Sequence, residues 1–331
     1  MKNVLFTTTA LVAMAGAAAA DSHAGVSWAG DVEVGYNDVI DGGFYVDGGL
    51  DLTGFVALEN DVTVEVTFGA DIYGPGSNTH LEWDDFPTLV VTTNLLTFTA
   101  GTIESAGADN YSSVSGMGGT AGFFEESGEF LVRLDATFGD IAVAVSGVAP
   151  NDQFGGPIDT LSVGASGSFG AVDFGIGYDD GGEVGVNVGT SLGSIDLDLA
   201  YQTDGTDNSV GLGVGATLGS VELAAYYAMN TGTDDAYGVS ADASFGSVNV
   251  GAYWDADAGG ASNFGVDLDM AVSDTITAYA GYDQADSFYV GAIMTIAEGA
   301  AVGASYADTT GADHGPEDFK DGISVWFSAD F

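Results

Sequence analysis

The stretch ASFGSVNVGAYW, residues 243–254, combines a chain reversal with the start of a new strand. Phe245-Gly246-Ser247 ends a run of small residues, and Val248 and Val250 then begin a strict alternation. Glycine adopts backbone angles that other residues resist, so this pattern predicts a tight turn between two strands. The same pattern recurs as ATFGDIAVAV at 136–145, GSFGAVDFGI at 167–176, TSLGSIDLDL at 190–199 and ATLGSVELAA at 216–225.

Alternation with a period of two extends well beyond these turns. In residues 26–36, 62–72 and 130–138, apolar side chains alternate with polar or small ones. Alternation over this length is typical of half-buried strands rather than helices. Weaker turn signals occur at Glu59-Asn60-Asp61, Thr93-Asn94, Ser273-Asp274 and Glu298-Gly299. Tight turns at one end and polar loops at the other predict an up-and-down antiparallel meander, with nine turns giving up to 20 strands.

The chain opens with MKNVLFTTTALVAMAGAAAA. A positive start at Lys2, a short apolar stretch and small residues before Asp21 predict a cleaved secretory signal peptide over residues 1–20. A membrane anchor is the alternative, but the apolar part is short and interrupted by threonines. The remaining residues, 21–331, are expected to form one domain.

The composition is at once very acidic and apolar. Removal of the signal peptide leaves two basic and 49 acidic side chains, a difference of −47. Because so few cations could neutralise phosphates, nucleic acid is excluded as a partner. The chain is nevertheless 46% hydrophobic, with a mean hydropathy of +0.23 and no cysteine. The acidic and apolar side chains must therefore lie in separate regions of the fold.

Three features decide which solvent meets each face of the strands. Strands of about 10 residues have the length that crosses a bilayer at a tilt. Phe138, Phe169 and Phe245 directly precede tight turns, where an aromatic girdle would lie at a membrane interface. The chain ends in GISVWFSADF, an alternating strand that closes on Phe331. These features favour a transmembrane barrel, with apolar side chains toward lipid and polar ones toward a wet lumen.

Signal peptide, alternating strands, short glycine turns and an aromatic terminal strand together resemble a Gram-negative general diffusion porin of the alphaproteobacterial type. The resemblance implies an all-β, transmembrane antiparallel up-and-down barrel, usually of sixteen strands, with its third loop folded into the pore. It further implies a water-filled channel for passive diffusion of small hydrophilic solutes and ions, held in outer-membrane lipid as a homotrimer. Phe331 is similar to the signal that the outer-membrane assembly machinery of the host cell reads.

One connection, residues 104–128, is much longer than the other loops, which hold about 4–10 residues. By count it is the third loop, the one that narrows the pore in the family it resembles. As a pore constriction it would carry Glu104, Asp109, Glu125 and Glu126. The alternative is an ordinary surface loop that points outward.

The pore wall is predicted to be strongly negative. Strand phase directs the following residues to the lumen: Asp31, Glu33, Asp51, Glu65, Asp71, Arg133 and Asp135. Porins of this kind commonly oppose the acidic loop with several arginines, whereas Arg133 alone faces the lumen here. Arg133 either contributes to the constriction or forms a local ion pair with Asp135. A wet acidic corridor attracts cations and repels anions, so the channel is expected to prefer cations.

Calcium is a further candidate ligand, although no cofactor is required by this interpretation. Clustered carboxylates suit a hard cation that takes about 6–8 oxygens. The candidate ligands are Glu82, Asp84, Asp85, Glu125 and Glu126. The alternative is that these acids are simply solvated in polar loops.

Two other classes of protein remain as alternatives. One is a secreted or surface-bound acidic β-protein, such as an adhesin, that binds calcium without forming a channel. The other is an outer-membrane hydrolase, which needs a serine, a histidine and an acid converging at one rim. The histidines are His23, His80 and His314, and no nucleophile-elbow or zinc-binding spacing accompanies them. The sequence therefore favours a channel and no catalysis.

Overall fold

The computed structural model describes residues 24–40, 42–75, 80–83, 87–118, 130–149, 158–284, 287–308 and 319–331. The predicted signal peptide lies outside these ranges. No helix within them is long and apolar enough to cross a membrane. The elements are β1 (Ala24–Asn37), β2 (Phe44–Leu58), β3 (Val62–Pro75), β4 (His80–Trp83), β5 (Thr88–Thr92), β6 (Leu96–Gly101), α1 (Ala106–Asn110), β7 (Leu131–Phe138), β8 (Ile141–Val148), β9 (Asp159–Phe169), β10 (Val172–Asp179), β11 (Val184–Leu192), β12 (Ile195–Thr203), β13 (Asn208–Leu218), β14 (Val221–Asn230), β15 (Ala236–Phe245), β16 (Val248–Ala256), β17 (Ser262–Ser273), β18 (Ile276–Asp283), β19 (Phe288–Ala297), β20 (Ala300–Asp308) and β21 (Gly322–Asp330).

The sheet closes on itself. Successive strands pair antiparallel along the chain, and β21 pairs with β1, where Val34 lies opposite Phe327. The terminal residue continues this seam: Phe331 and Gly30 exchange two backbone hydrogen bonds of 2.8 and 2.9 Å. The predicted all-β, antiparallel up-and-down barrel is confirmed.

The barrel has 20 strand positions, the upper end of the predicted range and four more than the sixteen that the resemblance implies. Strands β4 and β5 share one position, because β4 pairs with the later half of β3 and β5 with its earlier half. Ala70 lies opposite Trp83, and Thr63 lies opposite Thr92. The remaining strands occupy one position each.

All nine predicted turns join neighbouring strands at one end of the barrel. Gly219 illustrates why glycine recurs there: its φ is +70°, and a Cβ at this position would meet no atom within 4 Å. The backbone angle, rather than a lack of space, therefore requires glycine. The turn at residues 59–61 adopts similar left-handed backbone angles without glycine, since Asn60 and Asp61 have φ of 64° and 58°.

Large apolar side chains cover the outer face of the barrel. The three phenylalanines that precede turns are 63–78% exposed: Phe138, Phe169 and Phe245. A second band of outward aromatic rings lies near the loop end, where Tyr237 is 6.3 Å from Tyr227 and 5.6 Å from Trp254 between ring centroids. Tyr237 and Phe245 are separated along β15 by roughly 26 Å. With a strand tilt of about 35–45°, this separation corresponds to about 18–21 Å across the membrane, somewhat less than the apolar band about 25 Å tall that is typical of such barrels.

We expect Gly219→Ala to destabilise the barrel by about 1–2 kcal/mol, because a Cβ at positive φ collides with its own backbone. The matched control is Gly54→Ala, which also adds a Cβ in open space but at an ordinary φ. Urea unfolding of the barrel in lipid vesicles measures both. Equal stability of the two variants would contradict this account of the turns.

Candidate functional site

The described part of the long connection, residues 102–118, lies against the inner face of the barrel. It begins with helix α1, which contacts β8, β9 and β10. The backbone N–H of Ala106 donates to Ser146 Oγ at 2.8 Å, and that of Gly107 donates to Ser162 Oγ at 2.9 Å. Both serines are buried on the inward phase of their strands. The helix is therefore fixed directly to the wall.

Beyond α1 the loop continues along the wall to β14 and the start of β15, where a Cβ at Gly116 would lie 2.7 Å from Ala236 Cβ. The hydroxyl of Tyr111 donates to Gln202 Oε1 at 3.0 Å, and burial raises the pKa of Tyr111 above its ordinary value. The backbone N–H of Gly118 donates to Asn230 Oδ1 at 2.8 Å, and Asn230 Nδ2 donates back to Gly116 O at 3.0 Å. The third loop is thus folded into the barrel, as the resemblance implies.

Glycines on the inward face of the strands leave room for this loop. A Cβ at Gly164 would collide with the backbone carbonyl of Ala106. A Cβ at Gly211 would lie 2.6 Å from both Val114 Cβ and Met117 Sδ. Packing therefore explains why glycine occupies these two inward positions, since a larger residue would push the loop toward the centre of the lumen.

Arg133 joins the wall to the loop. Its Nε donates to Asp135 Oδ2 at 3.1 Å, and its Nη1 lies 3.5 Å from Asp109 Oδ2. The same Nη1 donates to the backbone carbonyl of Glu104 at 3.2 Å. The predicted pair with Asp135 is thus present together with a contact to the loop, and a role of Arg133 in the constriction stays a prediction. Each carboxylate reduces the positive field that Arg133 projects into the lumen.

The predicted wall acids lie on the inward phase of β1, β2 and β3 and are accessible to water. Cross-strand pairing shows this shared phase, because Glu33 lies opposite Asp47 and Asp51 lies opposite Gly69. The predicted residues on this face are Asp31, Glu33, Asp51, Glu65 and Asp71. Further acids continue the same face around the barrel: Asp47, Glu82, Asp173, Asp196, Asp198, Glu222, Asp242, Asp255, Asp267, Asp269, Asp283 and Asp330.

Most of the residues predicted to bind calcium lie outside the described part of the chain. These four are Asp84, Asp85, Glu125 and Glu126. Glu82 is described, and it accepts a hydrogen bond from the hydroxyl of Tyr73. Among the described residues, no group of three or more histidines, aspartates or glutamates is arranged to hold a metal ion. Calcium binding remains a prediction.

Sequence reasoning missed an aromatic cluster inside the barrel. The ring of Phe319, only 2% exposed, packs edge-on against Tyr279 and Tyr289 with centroid distances of 5.9 and 5.6 Å, and lies 5.8 Å from Trp326. The next residue, Lys320, lies 3.7 Å from Glu33 Oε1. The strand phase already directed Tyr279, Tyr289 and Trp326 inward, so the phase was the available signal.

Gly164→Ala is expected to displace α1 toward the centre of the passage, because the carbonyl of Ala106 is rigid backbone. Overpacking of this kind costs about 1–3 kcal/mol. We expect a lower single-channel conductance in a planar bilayer, together with lower stability. Gly213→Ala is the matched control, since its Cβ would make only ordinary contacts of 3.5–3.7 Å. An unchanged conductance for Gly164→Ala would show that α1 does not limit the passage.

Comparisons with known proteins agree with this architecture. The family model described as "Gram-negative porin" matches residues 7–321. No curated protein sequence matches the chain. Two solved structures that resemble it are substituted forms of Rhodopseudomonas blastica porin, 17% and 14% identical in sequence. Each match covers 93% of this chain and 100% of the other, with TM-scores of 0.42 and 0.44.

Both TM-scores are low, so these two structures carry no argument about site or function. The family model supports an assignment, because its match extends over most of the chain. It coincides with a closed antiparallel barrel, an apolar outer face and an acidic inner one. The chain belongs to the Gram-negative porin family.

Proposed function

We propose that this outer-membrane porin forms a water-filled channel that prefers cations among the small hydrophilic solutes it admits. The observation that supports this preference is that the two basic side chains of residues 21–331 both lie beside carboxylates. Arg133 and Lys320 are both held by carboxylates inside the barrel. The wall acids far outnumber them, so the lumen has an excess of negative charge along its length.

The physical basis is the focusing of that charge by the barrel. Carboxylates on an inner wall surrounded by lipid raise the local concentration of cations and lower that of anions. The preference is strongest at low ionic strength, since the Debye length grows to about 30 Å at 0.01 M salt. Membership of the porin family indicates a channel rather than an enzyme.

Several finer features remain proposals that the family supports. We infer export by cleavage after residue 20, assembly as a homotrimer, and recognition of Phe331 by the outer-membrane assembly machinery. The backbone pairing of Phe331 with Gly30 shows that this residue also closes the barrel seam. A role for Glu125 and Glu126 in narrowing the pore or binding calcium lies outside the described residues.

A reversal potential in a potassium chloride gradient tests the proposed preference. We expect a potential whose sign corresponds to potassium permeation, and a larger permeability ratio when the whole gradient is diluted. Dilution matters because wall charges are screened less at low salt. A potential that favours chloride would overturn the proposal.

Removing wall charges should move the reversal potential in a predictable direction. Asp196→Asn combined with Asp198→Asn is expected to lower the cation preference, whereas Arg133→Gln is expected to raise it. The matched control is Asp140→Asn combined with Asp274→Asn, because both residues lie in turns at the end of the barrel. If the control pair had the same effect as the wall pair, general surface charge rather than the lumen wall would set the selectivity.

A further inference from the structure

A recess in the inner wall lies away from the long loop. It is formed by β1, β2 and β21 together with residues 319–320, and its volume is about 290 Å³. The described part of the long loop runs instead along β8 to β15. Pockets for small ligands occupy about 300–1,000 Å³, so this recess is at the lower limit.

The aromatic side of the recess is held rigidly. Phe319 fills space that exists because residue 291 is glycine, where a Cβ would lie 2.6 Å from the Phe319 ring. The ring of Trp326 packs against Phe319 and is only 9% exposed. Tyr45 is similarly buried and donates its hydroxyl proton to Glu33 Oε1 at 2.7 Å. An apolar ligand group would therefore meet a preformed surface.

The chain places one ammonium group in this recess. The Nζ of Lys320 lies 5.0 Å above the centre of the Tyr45 ring and 3.7 Å from Glu33 Oε1. A cation over an aromatic face and beside a carboxylate gains from both interactions. The position of Lys320 thus indicates that the recess favours an ammonium group.

One ammonium does not balance the charge of the recess. Three carboxylates line it, those of Asp31, Glu33 and Asp47, and Lys320 contributes the single positive charge, so the formal charge is −2. Asp31 and Asp47 are exposed to the lumen. A second positive group is therefore favoured there, and its apolar part would contact the aromatic side.

We propose that this recess is a binding subsite for small organic ammonium ions, with the positive charge beside Asp31 and Asp47 and the apolar part against Trp326. The inference deepens the proposed cation preference and rests on it for access through the lumen. It adds a saturable step to passage, which a uniformly charged wall does not produce. The recess volume of about 290 Å³ admits a small ion such as choline.

Choline applied to the channel in a planar bilayer tests the proposal. We expect the potassium current to fall with choline concentration and to saturate. The neutral probe of the same shape, 3,3-dimethylbutan-1-ol, should have no such effect, since it lacks the charge. A current that falls without saturation, or equally with both probes, would overturn the subsite.

Variants locate the binding. Asp47→Asn should raise the half-saturating choline concentration about tenfold, equivalent to about 1.4 kcal/mol. The matched control is Asp242→Asn, which removes one inward charge on β15 and lowers the cation preference, but leaves choline half-saturation unchanged. Lys320→Met should lower the half-saturating concentration, because it removes the competing ammonium. Equal shifts in Asp47→Asn and Asp242→Asn, or weaker block in Lys320→Met, would contradict the proposal.

The two proposals fail in distinguishable ways. Reversal potentials in potassium chloride are recorded on the same proteins, before choline is added. A cation preference without saturable block would refute the subsite alone, whereas a chloride preference would refute the proposed selectivity. The open-channel conductance of Asp47→Asn shows whether the variant forms an intact barrel.

Discussion

The structure depends on satisfying every backbone hydrogen bond of the membrane-spanning segments without water. An unpaired N–H or C=O in the hydrocarbon region costs several kcal/mol, so a sheet can span a bilayer only when it has no open edge. The seam between β1 and β21 removes that edge, and Phe331 extends it by pairing with Gly30. The rest of the architecture follows from this closure.

Closure turns the alternation of each strand into two environments. One phase faces lipid and contains Val, Leu, Ile and aromatic side chains, and the other faces the lumen and contains most of the strand carboxylates. A highly acidic and yet apolar chain is stable in this form because most apolar side chains meet lipid while most strand carboxylates meet water. In a soluble β-protein, the same apolar residues would need a dry core, which a lumen lined with acids does not provide.

The lumen is divided between two kinds of wall. Along β8 to β14, small inward residues such as Gly164 and Gly211 allow the long loop to lie close to the sheet. Along β18 to β21 and β1 to β2, aromatic rings take that place and hold Phe319 and Lys320. Arg133 and Lys320 are both held at these inner contacts, so their positive charge is used in attaching loops to the wall.

The sequence by itself determined the strands, the nine turns and the inward phase of the acids. These are local properties, since the alternation of side chains along a strand and the glycine of a turn each involve only residues that are close in sequence. It also predicted the long loop and the ion pair of Arg133 with Asp135 as one of two alternatives. Only the tertiary structure decided the final count of 20 positions, because β4 and β5 share one neighbour.

Contacts between distant residues were likewise decided only in three dimensions. The pairing of Arg133 with Asp109, and of Lys320 with Glu33, depends on which strands become neighbours and how far each loop reaches. The spacing of residues in the sequence does not show which strands are neighbours or how far a loop extends into the barrel. The inner recess of Asp31, Asp47 and Trp326 exists because barrel closure brings the last strand beside the first two.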